Sequence, residues 1–183
     1  MVWELEVSDV GNHAEIKQEL ERNDIWLEHK NYPKGRYRYN RDANQSTVLT
    51  EFVSNIETTL VATVYDTIFA QESVRAARYK PIEWYRSKAI CADIYKDTAG
   101  FEMPPHLDNQ HVLAQIIINL TPGKTSTKFH SPADHLALGA ILWQDLPAQY
   151  TAPTQELKGI VFFNNANSVH SISGLTEDRY ILY

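Results

Sequence analysis

The sequence has almost no cysteine and no long apolar run. Cys91 is the one cysteine in 183 residues, so an intrachain disulfide is excluded. No apolar run approaches the roughly 20 residues that cross a bilayer as a helix, and the N-terminal residues MVWELEVSDV are acidic rather than basic. We therefore expect no membrane or targeting segment and a reducing, cytoplasmic compartment. The apolar neighbours of Cys91 predict a buried, inert thiol.

Positive charge is also scarce. The formal net charge is −6, and Lys and Arg cluster only loosely, in the stretch KGRYRYNR from Lys34 to Arg41. This balance argues against nucleic acid or anionic membranes as partners. The favoured interpretation of the stretch is a solvated loop, and the alternative is the entrance for an anionic substrate.

The overall composition is that of a globular domain, with 43% hydrophobic and 22% charged residues. We expect one domain over residues 1–183, whose first part, residues 1–85, is a helical support region. Alternation from Trp3 to Val7 predicts a strand, and Asn12 is placed to cap a short helix. A polar loop is expected from Asn31 to Asn44. Helical spacing of apolar residues then predicts a long amphipathic helix from Gln45 to Ala70, packed against a sheet.

After Trp84 the sequence pattern changes to short β-rich runs at near-regular spacing, with turn residues between them. Residues 86–183 are therefore expected to form the sheet core. Helices followed by strands indicate an α+β fold, and about eight strands indicate a double-sheet jelly roll, with the N-terminal helices covering one sheet. The predicted strands are Ala89–Tyr95, Pro104–Asp108, Val112–Leu120, Ser126–Phe129, Gly139–Trp143, Gly159–Phe163, Val169–Ile172 and Arg179–Tyr183.

One stretch of the predicted sheet, MPPHLDNQHV, carries a candidate metal site. His106 and Asp108 are two residues apart, so on a strand their side chains would share a face, and His170 is placed to reach them from a neighbouring strand. Two imidazoles and one carboxylate on one face of an octahedral ion leave three positions open, as in non-haem Fe(II) sites that activate oxygen. Arg179 would offer a planar fork for a carboxylate. The competing interpretation is a hydrogen-bonded polar pair at a bend and an ordinary half-buried histidine.

The order of these residues resembles a known family. An H-x-D pair, 62 residues from Asp108 to His170, and Arg179 nine residues later are similar to the pattern of the 2-oxoglutarate/Fe(II)-dependent dioxygenases. The prolyl-hydroxylase-like branch is the closest fit, because ADIYKDTAGFEMPPHLDN repeats its layout of a strand with a tyrosine, here Tyr95, a glycine turn and the H-x-D. GIVFFNNANSVHSISGLTEDRYILY resembles its C-terminal pattern. The likeness covers Ala89 to Tyr183.

The resemblance implies a double-stranded β-helix, another name for the jelly roll, and a role for each matching residue. His106, Asp108 and His170 would be the catalytic ligands of Fe(II). Arg179 would bind the distal carboxylate of 2-oxoglutarate, and Tyr95 would hydrogen-bond the same co-substrate. The implied activity is hydroxylation of a C–H bond with O₂, release of succinate and CO₂, and ascorbate as a supporting reductant. The primary substrate, a peptidyl proline or a small molecule, stays open, as does the oligomeric state.

The chain departs from the family pattern at the carboxylate end of the pocket. GKTSTKFH lacks the second glycine of the family's fourth-strand motif, and Ile181 stands where many relatives have serine two residues after the arginine. The carboxylate pocket is therefore open to completion by other residues.

Two other functions compete with a 2-oxoglutarate-dependent enzyme. One is a non-catalytic, cupin-like jelly-roll module that holds a metal or an acidic ligand, and the other is an oxidase of similar fold that does not use 2-oxoglutarate. A cupin-like centre with three histidines would recruit His111, His130 or His135. The same residues are candidates for substrate contact, and His130 is the best placed because it ends a predicted strand.

Overall fold

The structure is a computed structural model, and its chain divides into two compact units. The first unit comprises Met1–Ser8, Trp26–Tyr39 and Ile94–Tyr183, and the second comprises Asp9–Ile25 and Asn40–Asp93. The residues that the structure describes are 2–7, 11–43, 46–64, 70–71, 80–81, 83–84, 91–109, 111–130, 147–165 and 167–183.

The first unit contains two antiparallel sheets. Seven strands form one sheet in the order β1-β9-β6-β11-β4-β3-β2, and four form the other in the order β5-β10-β7-β8. The strands are β1 (Val2–Glu6), β2 (Trp26–Glu28), β3 (Arg36–Tyr39), β4 (Ile94–Asp97), β5 (Met103–His106), β6 (Ala114–Asn119), β7 (Lys128–His130), β8 (Ala148–Thr151), β9 (Lys158–Phe163), β10 (His170–Ile172) and β11 (Arg179–Leu182). A mostly β architecture in two antiparallel sheets agrees with the predicted jelly roll.

The core of this unit lies where the two sheets face each other. Ile160 and Phe162 of β9 are completely buried, and the Phe162 ring meets Phe129 of the four-stranded sheet edge to face, with centroids 4.9 Å apart. The five residues that follow Lys158 in the run KGIVFF are all buried, and β9 is an inner strand whose backbone pairs with β1 on one side and β6 on the other. Gly159 is the second residue of this run and lies so close to the Ile117 backbone of β6 that no side chain fits there.

The second unit contains helices α1 (His13–Leu20) and α2 (Thr47–Thr63), which pack against each other. Asn12 caps α1 as predicted, because its side-chain oxygen accepts a hydrogen bond from the Glu15 amide at 3.4 Å. The predicted helix from Gln45 to Ala70 begins at Thr47 and is described as far as Thr63. Neither helix combines the length and apolar character needed to cross a membrane within the described residues. Packing of helices on one sheet, and the single-domain division at residue 85, stay predictions.

The stretch predicted as a solvated loop contains a strand instead. Residues Arg36–Tyr39 form β3, which pairs with β2 and with β4, and the side chains of Arg36 and Tyr39 are buried. A second short element, a 3₁₀ turn at Arg41–Ala43, follows it. The favoured interpretation of this basic stretch is therefore wrong, because one of its two partner strands, β4, lies some 60 residues away in the chain and leaves no local sign.

Strand boundaries differ from prediction in a few places. The strand predicted at Ala89–Tyr95 is observed at Ile94–Asp97, so Cys91 precedes it and is exposed, and the prediction of a buried thiol is wrong. Strand β8 was not predicted, because most of its side chains are exposed and its short sequence AQYT contains no large aliphatic residue. The strand predicted at Gly139–Trp143 lies outside the described residues.

Candidate metal centre

Two histidines face each other on neighbouring strands. His106 ends β5 and His170 begins β10, and the two are direct partners in the antiparallel pair. Each ring contacts a backbone carbonyl through Nδ1, His106 that of Pro104 and His170 that of Ser168, both at 2.9 Å. Because a carbonyl can only accept, Nδ1 carries the proton and the Nε2 lone pair is left for a metal. Burial lowers the pKa of His170, although the nearby Asp108 charge acts to raise it. The lowered pKa keeps this ring neutral.

The carboxylate reaches the site from a turn rather than from a strand. Asp108 lies two residues beyond the end of β5, so the expectation that it shares a strand face with His106 is wrong. The turn is held by the Asn164 side chain, whose amide donates to the backbone carbonyls of Asp108, Asn109 and Val112 at 3.3, 2.9 and 3.0 Å. Asp108 oxygens then lie 3.9 Å from His106 Nε2 and 3.6 Å from His170 Nε2.

These three side chains fit a divalent metal ion. The ligand atoms of His106, Asp108 and His170 all lie within 4.8 Å of one another, and two imidazole nitrogens with one carboxylate oxygen suit iron and related transition metals. Asp108 Oδ2 is buried and has no hydrogen-bond partner among the described residues. A buried charged oxygen without a partner is costly, and an ion would supply the missing interaction.

Tyr183 fixes the other oxygen of this carboxylate. Its hydroxyl donates to Asp108 Oδ1 at 3.3 Å, which leaves Oδ2 as the oxygen directed at His170. Burial, reinforced by the Asp108 charge, raises the pKa of Tyr183 well above its ordinary value, so the hydroxyl keeps its proton and acts as a donor. Tyr183 was not predicted from the sequence, although its even spacing from Arg179 in RYILY places both on one face of a strand.

One pocket is lined both by the two candidate histidines and by a pair of arginines. Its lining includes His106 and His170 together with Arg36, Thr127 and Arg179. Most of the other lining side chains are apolar, and charge interactions are stronger beside apolar walls than in water. The remaining described lining residues are Met103, Ile117, Ser171, Ile172, Ile181 and Tyr183.

Arg179 is buried, lines this pocket and already binds a carboxylate of the protein. Its Nη2 donates to Asp97 Oδ2 at 2.7 Å and its Nη1 to Thr127 Oγ1 at 3.5 Å. Arg36 donates two hydrogen bonds to the same carboxylate, from Nε to Oδ1 at 2.6 Å and from Nη2 to Oδ2 at 2.8 Å. Burial alone would raise the pKa of Asp97, but the two guanidiniums outweigh it and hold that pKa below its usual value. Neither Arg36 nor Asp97 was predicted as a site residue.

Tyr95 lies beside Arg36 and Tyr183. Its ring is 5.7 Å from that of Tyr183, centroid to centroid, and 5.3 Å from the guanidinium carbon of Arg36. It is buried in the core cluster that also contains Ile181, and it is not among the described residues that line the pocket. Its contact with a co-substrate stays a prediction.

The other described histidines do not join the candidate ligands. The His130 ring is buried and its Nε2 lies 2.8 Å from Ser171 Oγ, a contact that occupies the nitrogen a metal or substrate would need. His111 is exposed, and His135 lies outside the described residues. Nothing in the described part of the chain favours a centre with three histidines.

Comparisons with known proteins find solved structures of the same fold but no match in sequence. No protein-family model matches the chain, and no curated protein matches it in sequence. The search of solved structures finds a Trichoplax adhaerens prolyl hydroxylase in complex with a hypoxia inducible factor peptide fragment, with TM-score 0.63 and 9% identity, covering 99% of this chain and 80% of that one.

Two further solved structures share the fold. HygX from Streptomyces hygroscopicus, with nickel, 2-oxoglutarate and hygromycin B bound, has TM-score 0.59 and 16% identity over 99% of this chain and 80% of that one. A Pseudomonas putida prolyl-4-hydroxylase has TM-score 0.58 and 10% identity over 99% and 89%. The chain therefore has the fold of 2-oxoglutarate/Fe(II) oxygenases, and the resemblance to the prolyl-hydroxylase-like branch is confirmed at the level of the fold.

Proposed function

We propose that this protein is an Fe(II)- and 2-oxoglutarate-dependent dioxygenase that hydroxylates a C–H bond of its substrate and releases succinate and CO₂. The observation that carries the proposal is the converged triad of His106, Asp108 and His170, in which a buried Asp108 oxygen lacks a partner. The shared fold supports it independently. A non-catalytic module would not need a pocket that joins such a triad to buried guanidiniums.

In this proposal the chain holds the ion and leaves part of it accessible. His106 and His170 would bind Fe(II) through Nε2 and Asp108 through Oδ2, with the Nδ1 contacts to backbone carbonyls fixing both rings. Three ligands on one side leave positions open for the co-substrate and O₂. Bound Fe(II), with 2-oxoglutarate and O₂, supplies the oxidising chemistry for C–H hydroxylation, and ascorbate would keep the iron reduced.

The pocket would orient the co-substrate. Its 2-oxo acid end would approach the triad, and its distal carboxylate would lie near Arg179 and Thr127. Tyr95, next to Arg36, is retained as a proposed hydrogen-bond partner of the co-substrate. The apolar wall between the two ends would keep bulk water from the reacting groups.

The primary substrate is proposed only as a class. One neighbour is in complex with a peptide fragment and another has hygromycin B bound, so the shared fold accommodates peptides as well as small molecules. We retain both a peptidyl proline and a small molecule as candidates, because a fold does not fix specificity.

The direct test follows succinate during aerobic incubation with Fe(II), ascorbate and 2-oxoglutarate. Wild type is expected to form succinate, and His106→Ala and Arg179→Ala to form little or none. His111→Ala is the matched control, because it removes an exposed imidazole close in sequence to the ligands. Succinate that persists in His106→Ala would contradict the iron assignment. Iron binding without succinate would instead favour an oxidase that does not use 2-oxoglutarate or a non-catalytic metal-binding module.

A further inference from the structure

The arginine assigned to the distal carboxylate is electrically neutralised by its own neighbour. Asp97 is completely buried and lies 2.7 Å from Arg179, so the pair has no net charge with which to attract an anion. Arg36 adds a second cation to the same carboxylate at 2.6 Å. Two guanidiniums and one carboxylate leave one net positive charge where Arg36 and Arg179 line the pocket.

The three charged residues form one row across three adjacent strands. Asp97 of β4 is the direct partner of Arg36 on β3 and of Arg179 on β11. Directly opposed residues of antiparallel strands point to the same face, so all three side chains are directed into the same space. Both arginines line the pocket that also contains His106 and His170.

Arg36 is fixed in this row from several sides. Its guanidinium carbon lies 4.9 Å from the centroid of the Tyr32 ring and 4.8 Å from that of Phe101, within the range of cation–π attraction. Gly35 immediately precedes it with φ +106, a conformation that favours glycine, and the Gly35 carbonyl accepts a hydrogen bond from the Thr98 amide at 2.8 Å. The side chain is therefore held in place before any ligand binds.

A buried charge without a counter-ion is unfavourable, and a buried donor without an acceptor adds to the cost. Arg36 and Arg179 are each only 4% exposed, and Arg179 Nε has no hydrogen-bond partner among the described residues. One carboxylate group bound in the pocket would supply both the missing negative charge and the missing acceptor.

We propose that Arg36 is a second carboxylate-recognition residue and that Asp97 positions Arg36 and Arg179 around a site for one carboxylate. This inference rests on the proposed function and deepens it, because it explains how the pocket selects a 2-oxo acid with a distal carboxylate over one without. Arg179 alone cannot provide this selection, because Asp97 cancels its charge. The charge of Arg36 restores a net positive charge to the pocket, and with it the selection for a distal carboxylate.

The test measures ligand binding rather than turnover. Protein loaded with Mn²⁺ is titrated calorimetrically, without oxygen, with 2-oxoglutarate and separately with pyruvate, a 2-oxo acid that lacks the distal carboxylate. Arg36→Gln is expected to weaken 2-oxoglutarate binding by about tenfold or more while leaving Mn²⁺ and pyruvate binding unchanged, since truncating a buried charged contact is costly. Lys96→Gln is the matched control, because it removes a positive charge from the residue next to Asp97 on the opposite face of β4.

Each outcome bears on a distinct claim. A 2-oxoglutarate affinity of Arg36→Gln within twofold of wild type overturns the role of Arg36 and leaves the proposed function standing. Wild-type protein that binds Mn²⁺ but no 2-oxoglutarate overturns the proposed function itself. If circular dichroism shows that Arg36→Gln is unfolded, Arg36→Lys decides the matter. Lysine keeps the charge but carries its three donors on one nitrogen, so it lacks the planar fork that holds Asp97 by two parallel bonds and directs a further N–H at a ligand. The lysine variant is therefore expected to bind 2-oxoglutarate more weakly, and undiminished binding overturns the proposal.

Discussion

His106 and His170 are direct partners across the β5–β10 pair, and their ring centroids lie 4.4 Å apart. Asp108 completes the group from a turn and presents a buried oxygen that has no hydrogen-bond partner among the described residues. This crowding of lone pairs is unfavourable in the metal-free protein and favourable around a cation. Metal affinity and the stability of the metal-free protein are therefore expected to oppose each other at this site.

Asp108→Asn should separate these two quantities. Replacing the buried carboxylate by a neutral amide removes a charge of which one oxygen, Oδ2, has no hydrogen-bond partner among the described residues, so the melting temperature of the metal-free protein should stay the same or rise by a few degrees. Mn²⁺ at a hundredfold excess over Kd should stabilise wild type by about 2.7 kcal/mol and raise its melting temperature, and in Asp108→Asn this metal-induced rise should disappear. Thermal unfolding with and without Mn²⁺ measures both. Asp24→Asn, at an exposed ion pair, should retain the full metal-induced rise, and an equal rise in Asp108→Asn would contradict the ligand assignment.

Tyr183→Phe should weaken metal binding without unfolding the protein. The lost hydroxyl donates to Asp108 Oδ1, and removing a residue that orients a metal ligand typically lowers affinity by about 10- to 100-fold. Titration calorimetry with Mn²⁺ gives the affinity. Tyr150→Phe is the control, because it removes a hydroxyl that donates to Glu4 at 2.7 Å, away from the ligands. Equal Mn²⁺ affinity in the Tyr183 variant and wild type would show that this hydrogen bond does not position the ligand.

Asp97 should make stability depend on pH in the acid range. Its pKa is lowered in the folded protein, so its contribution is fully present above the unfolded value of about 3.9 and is lost as pH falls through the lower folded value. At pH 6 Asp97→Asn should lower the free energy of unfolding by about 3–5 kcal/mol, because it breaks a buried ion pair. Urea unfolding from pH 6 to pH 2.5 should show this difference shrinking below about pH 4. A difference that stays constant over that range would contradict the pairing.

Gly159→Ala should strongly destabilise the seven-stranded sheet. A Cβ at this position would overlap the carbonyl oxygen of Ile117 and lie 2.9 Å from Ile118 Cα, and both are backbone atoms that cannot move without disrupting the β6–β9 pair. We expect a loss of about 3 kcal/mol or more in urea unfolding. Gly123→Ala is the control, because its Cβ would meet its nearest heavy atom at 3.8 Å, an ordinary contact. Equal stability of the two variants would disprove the close approach.

Much of the fold could be predicted because its signals are local. The runs that became β6, β9 and β11 are apolar and bounded by turn residues, and the observed strands lie within two residues of the predicted ends. The cap of α1 at Asn12 is equally local, because the bond it makes spans three residues. Strands β2, β3 and β8 lack such patterns and form because neighbouring strands pair with them, so they could not be predicted from local sequence.

The candidate site could likewise be predicted only in part from the sequence. The ligand types and their order along the chain, His106, Asp108 and His170, could be read as a pattern, although the reason given for the approach of Asp108 was wrong because Asn164 and a turn, rather than a strand face, bring it there. Arg36 carried no such pattern, and its basic neighbours suggested a solvated loop.

By itself the sequence determined which residue types are available for chemistry and which segments tend to become strands, since both depend on composition and short-range spacing. Only the tertiary structure decided that Arg36 meets Asp97, 61 residues away, in a buried row with Arg179. The physical reason is that strand pairing and burial are collective. The charge of a side chain is fixed by its identity, but its partner, its exposure and its effect on a ligand are set by the strands that fold beside it.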